Sequence, residues 1–211
     1  GRLFLSAWYL RKSRERFGKN HPARIALRSL EKEIRVRHKS ILVQRPGSPM
    51  TWGIFRSYIS LPANCGDWSP KRLDLVLRHE LAHVKRGDSA FLLFTQIVLA
   101  ILWFHPALWI VSRFLRIERE KAADYDVVTG GVCAVDYADA ILTFAQMPRL
   151  KGPGIALCGI VFSSGPTNLS DRVASVLEKE NQSPKRFGRT ARFVIFLFLL
   201  GGFTIVLSVE P

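Results

Sequence analysis

The sequence predicts an α+β fold that is mainly helical, with one small strand or hairpin element and hydrophobic helices at its flanks. Three observations predict it. Apolar residues recur at helical spacing over most of the chain, while alternation that suits strands is confined to residues 34–62. Uncharged apolar runs at 89–112 and 193–209 are far longer than a strand needs. The 211 residues suffice for one domain with its own core.

Apolar residues make up 48% of a chain whose formal net charge is +14. Mapping the charge reconciles the two. Between Arg11 and Arg45 there are twelve Lys and Arg against three acids, Glu15, Glu31 and Glu33. A second basic cluster, "KRFGRTAR" (185–192), directly precedes "FVIFLFLLGGFTIVLSV" (193–209), 17 residues without charge. That is the short end of what crosses a bilayer. Basic flanks beside apolar spans mark the cytoplasmic side and attract anionic lipid. At the other end "GRLFLSAWYL" runs straight into "RKSRER", like the last part of a membrane helix emerging into the cytoplasm. It is not a signal peptide, because the charge follows the apolar run. The expected organisation is therefore the end of a transmembrane helix at 1–10, a cytoplasmic domain at 11–192 and a transmembrane helix at 193–209, within a longer membrane protein. Nucleic acid is not an expected partner, since no helix-turn-helix, zinc-finger or aromatic-basic RNA motif accompanies the charge. Cys65, Cys133 and Cys158 stand in no metal-binding spacing and read as reduced thiols.

Within the domain, Ile25, Leu27 and Leu30 give residues 22–33 a helical stripe. "IRVRHKSILVQ" (34–44) alternates as a strand does, and "RPGSPM" is a turn cluster. "MTWGIFRSYISLP" (50–62) reads as a hairpin broken at Gly53. Ser69 then caps a helix with Pro70 at its first position, running to about Gly87. Residues 89–112 call for a membrane helix by hydropathy alone. "RFLRIEREKAADYDVV" is a further helix closed by Gly130 and Gly131. Residues 135–147 and "SDRVASVLEKE" are short helices on either side of a Gly- and Pro-rich stretch, 148–168.

The chemistry is concentrated in "LRHELAHVKRGD" (77–88). Residues four apart share a helix face, so His79 and His83 project together, as two imidazoles binding one ion must. Glu80 is rotated about 100° from His79, so its carboxylate can reach a water held by that ion. This is the H-E-x-x-H arrangement of zinc peptidases, in which zinc activates water and the glutamate takes the proton. The bland alternative is an ordinary helix whose histidines are merely capped or exposed, with Leu77, Leu81 and Val84 burying another face. Catalytic zinc needs a third protein ligand. His21 and His38 lie in the basic region and His105 beside a proline. Glu120 and Asp124 share a face, and Glu120 as ligand with Asp124 supporting a zinc-bound histidine meets both needs. Glu118 lies about 200° from Glu120, so the two cannot aim at one ion. Equally, both glutamates could be surface acids paired with Arg116, Arg119 or Lys121.

Taken together, "SPMTWGIFRSYISLP", "LRHELAHVKRGD", "WFHPALWIVSRFLRIEREKAADYDVV" and "DYADAIL" resemble the BlaR/MecR-type sensor-transducers, bacterial membrane zinc metallopeptidases related to gluzincins. The likeness runs from about residue 45 to 145 and less sharply through "DRVASVLE". It implies a zincin-like domain, Zn2+ as cofactor, His79, His83 and Glu120 as ligands, Asp124 behind them and Glu80 as catalytic base. Ala123 stands where the family often has Cys, a position outside the implied ligands. The resemblance also suggests that the strand at Trp52, Gly53 and Ile54 borders the cleft and offers an edge to extended substrate. Arg172, Tyr137 and Arg86 are the candidate oxyanion donors, among which the sequence does not choose.

A shared zinc constrains topology. His79 and His83 precede residues 89–112 and Glu120 follows them, so one crossing between them is forbidden. Pro106 disfavours a straight helix, and the Trp residues of "WFHPALW" suit the headgroup level. The expectation is a helical hairpin or a kinked, shallowly embedded pair with both ends in the cytoplasm. The function expected is zinc-dependent endopeptidase activity at the bacterial cytoplasmic membrane, in a multi-pass protein whose active site faces the cytoplasm. An outside signal would lead to loss of a transcriptional repressor or to self-cleavage. Expected partners are that repressor or the chain itself and membrane lipid, with a homodimer admitted. A non-catalytic signalling scaffold, its zinc structural or absent, is the competing reading.

Overall fold

A two-residue strand, β1 (Glu15–Arg16), leads into helix α1 (Pro22–Glu33), whose N-terminus is capped by His21 accepting from the Ala23 N–H. The computed structural model describes residues 15–36, 40–44, 47–145 and 169–178, all within one compact unit, Gly1–Glu180. Strands β2 (Ile41–Gln44), β3 (Met50–Trp52) and β4 (Tyr58–Leu61) follow. The sheet order is β1-β2-β4-β3, so β3 is an edge. It pairs with β4 as an antiparallel hairpin in the register Thr51↔Ile59, while β4 runs parallel to β2. Gly53 permits the hairpin turn: its φ is +98°, and a Cβ there would lie 2.1 Å from the Arg56 carbonyl oxygen.

The strand predicted over 34–44 is shorter than expected. Helix α1 ends by turning through Arg35, at φ +57°, with the Val36 N–H returning to the Glu31 carbonyl. Pairing begins only at Ile41. The hairpin prediction holds, although Gly53 and Ile54 lie in its turn rather than in the strand.

Helix α2 (Pro70–Arg86) begins as expected, with the Ser69 hydroxyl accepting from the Arg72 N–H and Pro70 in the first turn. It ends at Gly87, whose φ of +69° suits a residue without a Cβ. Helix α3 (Asp88–Ile101) starts at once, stops at residues 102–105, and gives way to α4 (Pro106–Thr129). The apolar run 89–112 is thus two helices meeting at an elbow. Proline at the first turn of α4 has no N–H to lose there and sets that start. It also moves the start of the helix predicted at 113 seven residues earlier. Helices α5 (Ala134–Ala145) and α6 (Leu169–Glu178) complete the described chain. Among the described residues no helix is long and apolar enough to cross a membrane. The spans expected at 1–10 and 193–209, with His38 and Cys158, lie outside them.

Two cores flank α2. Leu27 and Leu30 of α1, Ile59 and Leu61 of β4, and Leu73, Leu77 and Leu81 of α2 form the first. Leu75 of α2 joins Val127 of α4, Tyr137 and Ile141 of α5 and Val176 of α6 in the second. Burying each large side chain contributes about 1.5–3 kcal/mol. With a core on each side, α2 is held rigidly, and its remaining face carries His79, Glu80 and His83. Cys65 is buried and Cys133 exposed, and neither is in a disulfide among the described residues. Burial pushes the Cys65 thiol up to about 11.

Candidate metal centre

Two turns of α2 and one of α4 bring three donors together. Nε2 of His83 lies 3.2 Å from Nε2 of His79. Glu120 places Oε2 3.6 Å from the His79 Nε2 and Oε1 3.8 Å from the His83 Nε2. One ligand atom from each residue falls within 4.8 Å of the others. Donors about 2.0–2.1 Å from one tetrahedral ion would stand roughly 3.3 Å apart. The observed separations match that spacing, and the set of two imidazoles and a carboxylate suits zinc. The residues present therefore fit the ion that the motif implies.

The outer nitrogen of each ring is tied down. His83 Nδ1 lies 2.7 Å from Oδ2 of Asp88, a buried carboxylate at the start of α3. A carboxylate only accepts, so this bond puts the His83 proton on Nδ1 and leaves the Nε2 lone pair facing Glu120. His79 Nδ1 lies 2.7 Å from the Tyr137 hydroxyl, which donates to Asp124 Oδ1 at 2.8 Å. Asp124 also stands 3.2 Å from His79 Nδ1 and takes two bonds from Arg172, at 2.8 and 2.7 Å. Three helices beyond α2 thus converge to fix one imidazole.

The electrostatics follow from this packing. Burial works against the His79 imidazolium, but bonds to Asp124 and Glu120 raise that ring to about 9. Burial alone would raise the Glu120 carboxyl; the His79 bond and the charge of Arg119 hold it well below the usual carboxylate range. Asp124, opposed by burial, is brought down to about 2 by Arg172 and His79. Burial first, and then the Asp124 charge, push the Tyr137 hydroxyl well above its usual value.

Glu80 lines the same cavity of about 120 Å³ as the three donors. Its Oε2 accepts from the Thr51 hydroxyl at 2.6 Å. Glu118 is separate: it is 64% exposed and 3.7 Å from Lys121, whereas Glu120 is buried. The surface-acid reading thus describes Glu118 and not Glu120, although Arg119 does reach Glu120 at 2.8 Å.

The other candidates are distributed unevenly. Tyr137 and Arg172 line the cavity, but the Tyr137 hydroxyl is committed to Asp124 and His79. Arg86 is not in the lining; it faces Asp88 at 3.4 Å and Asp126 at 3.7 Å. The part of the hairpin that borders the cavity is Ser48–Thr51, one step before the Trp52, Gly53 and Ile54 expected there. Trp52 instead stacks on Tyr58, 5.6 Å between ring centroids, because alternation along β3 turns it to the other face of the sheet from Thr51. His21 caps α1, and His105 is exposed at the elbow, so neither joins the site.

With this geometry in view, comparison with known proteins is decisive. A family profile described as BlaR1 peptidase M56 matches residues 3–176. The chain belongs to that family. Regulatory protein BlaR1 of Bacillus licheniformis is 30% identical over 175 residues, which is 81% of this chain and 28% of that protein. The methicillin resistance mecR1 protein of Staphylococcus aureus is 33% identical over 82 residues, 38% of this chain and 14% of the relative. The mecR1 protein of Staphylococcus epidermidis matches to the same extent. The chain therefore spans less than a third of the length of the curated relatives it matches. Membership of the M56 family supports a metallopeptidase, and His79, His83 and Glu120 form a group able to hold a metal ion.

Sequence reasoning missed Asp88 and Thr51. Asp88 has a weak local signal, an acid directly after the glycine that ends the motif helix. Thr51 has none, because 29 residues separate it from Glu80 and only the sheet brings them together.

Proposed function

We propose that this chain is the peptidase module of an integral-membrane, zinc-dependent endopeptidase that hydrolyses peptide bonds on the cytoplasmic side. The observation that carries this reading is the convergence of His79, His83 and Glu120 with Glu80 lining the same cavity. Zinc, when bound by those three side chains, supplies the Lewis acidity that makes water a competent nucleophile near neutral pH. The protein's own groups do the rest. Asp88 and the Tyr137–Asp124–Arg172 chain hold the two imidazoles with Nε2 inward. Glu80 takes the proton from the attacking water and returns it to the departing amine. Among the described residues β3 is an edge strand, a position that suits pairing with an extended segment of protein substrate.

Membrane attachment is supported by the elbow between α3 and α4. Ile97, Ile101, Trp103, Phe104, Trp109, Ile110 and Phe114 are all exposed there. Exposed apolar side chains, two of them Trp, close in sequence to Arg113 and Arg116 suit the headgroup region of an anionic bilayer. The chain leaves α2 and returns through α4 to the same site, so both ends of the elbow belong to one compartment. The name of one relative, a regulatory protein, supports a regulatory role, and the basic flanks favour the cytoplasmic side; the substrate in this proposal is a cytosolic repressor or the chain itself. A homodimer is compatible with this role.

The experiment is to express the active and Glu80→Gln forms in bacterial cells and compare peptide termini of cytosolic and membrane proteins by mass spectrometry. Glu80→Gln is nearly isosteric and cannot take the proton, so every terminus made by this enzyme should vanish while zinc is retained. Termini that persist unchanged would refute the hydrolytic role and leave the scaffold reading in its place.

A further inference from the structure

We infer that Thr51 is a positioning residue for Glu80, tying the strand at the mouth of the cavity to the proposed catalytic base; the inference rests on the peptidase reading above. Three observations carry it. The Thr51 hydroxyl lies 2.6 Å from Glu80 Oε2 and 3.3 Å from the Glu80 carbonyl oxygen, and both residues are buried. Among the described residues no other side chain bonds the Glu80 carboxylate. Thr51 also belongs to β3, the edge strand, and lines the same cavity as the metal-binding group.

The chemistry of a hydroxyl gives the bond its direction. An ionised carboxylate has no proton to give, so Thr51 donates and Glu80 accepts. A carboxylate at the end of two methylenes has several rotamers, and one short charge-assisted bond in a buried site selects among them. That bond occupies Oε2 and leaves Oε1 for the reaction. The strand side of the bond matters as much. Thr51 is fixed through its pairing with Ile59, whose side chain is fully buried in the first core. The Glu80 carboxylate is therefore referenced to the strand on which substrate would lie, and not only to its own helix. A residue that orients the base in this way affects ligands that engage the base and spares the metal.

The test uses the full chain in detergent, loaded with zinc, and leucine hydroxamate as probe. A hydroxamate chelates zinc and gives its proton to a neighbouring carboxylate, so its affinity reports on the base without requiring turnover. Thr51→Val keeps the shape and removes the donor; it should bind the probe about tenfold more weakly while zinc content stays at the wild-type level. Thr51→Ser restores the donor and should bind within about twofold of wild type. In a Glu80→Ala background, Thr51→Val should cause no further loss. Equal affinity of Thr51→Val and wild type, failure of serine to rescue, or an undiminished loss in the Glu80→Ala background each overturns the inference. If Glu80→Ala alone binds as wild type does, the peptidase reading fails and takes this one with it. A loss on Glu80→Ala without one on Thr51→Val strikes the Thr51 inference alone.

Discussion

Removing the carboxylate of Asp88 should weaken zinc binding by one to two orders of magnitude without touching a ligand. Its Oδ2 lies 2.7 Å from His83 Nδ1, and only 3% of the residue is exposed, so water cannot readily replace it. Burial opposes the charge on Asp88, but the His83 bond keeps its carboxyl below the usual range, so it is ionised near neutral pH. An ionised partner on the outer nitrogen fixes the tautomer, aims the ring and makes Nε2 a better donor. Losing such a partner typically costs about 10–100-fold in metal affinity, or roughly 1.4–2.7 kcal/mol. Asp88→Ala should fall near the upper end. Asp88→Asn keeps an acceptor oxygen but not the charge, and should fall near the lower. Asp88 is also the first residue of α3, where a negative charge contributes about 0.3–1 kcal/mol to the helix. The assay must therefore read metal affinity rather than melting temperature: competition for zinc against a chromophoric chelator, with circular dichroism confirming the fold. If Asp88→Ala binds zinc within twofold of wild type while His83→Ala does not bind, the orienting role is refuted.

Two further outcomes follow from the same network. Glu120→Ala should sharply reduce zinc content after dialysis and Glu118→Ala should leave it unchanged, since the latter side chain is exposed and paired with Lys121; the reverse ranking by elemental analysis would move the ligand to Glu118. The Asp124 carboxyl is depressed from 3.8 to about 2 in the fold, so the stability it provides is fully present above its unfolded value and is lost as pH falls through about 2. The difference corresponds to about 2 kcal/mol in the metal-free protein. Denaturant titrations between pH 5 and pH 2 should show that loss in wild type and a flatter profile in Asp124→Asn, and identical profiles would refute the assignment.

What the sequence reveals divides along physical lines. Periodicity within one helix is local, so spacing alone aligns His79, Glu80 and His83, and the 3.6-residue phase shows that Glu118 and Glu120 cannot both face one ion, while the choice of Glu120 rests on Asp124 one turn on and on the family resemblance. The Ser69 cap, Pro70 and Gly87 are equally local, and the bounds of α2 fall where they indicate. The strand expected at 34–44 is too long because alternation in "IRVRH" mimics a strand. Those residues instead begin with the carboxyl-terminal turn of α1, where Arg35 takes a left-handed conformation that its residue type does not favour. The elbow at 102–105 follows only from combining hydropathy, Pro106 and the shared site, none of which suffices alone. Thr51 is invisible to sequence reasoning because strand register is a tertiary fact. Arg86 and Arg172 are both arginines near motif residues, and only packing shows that one faces Asp88 and Asp126 while the other closes on Asp124.

Helix α4 is unbroken from Pro106 to Thr129, and it is two-faced along its length rather than around its circumference. Its first turns expose Trp109, Ile110 and Phe114, and its middle buries Glu120. From Trp109 to Glu120 is eleven residues, roughly 16 Å of rigid rod. A tilt of about 5° about the apolar end displaces the carboxylate by roughly 1.4 Å, which is enough to spoil a coordination geometry that tolerates only tenths of an ångström. If the elbow rides in lipid as proposed, its depth and angle are carried along the same rod to the Glu120 position, and bilayer thickness and headgroup charge would then act as settings of the site rather than as mere surroundings.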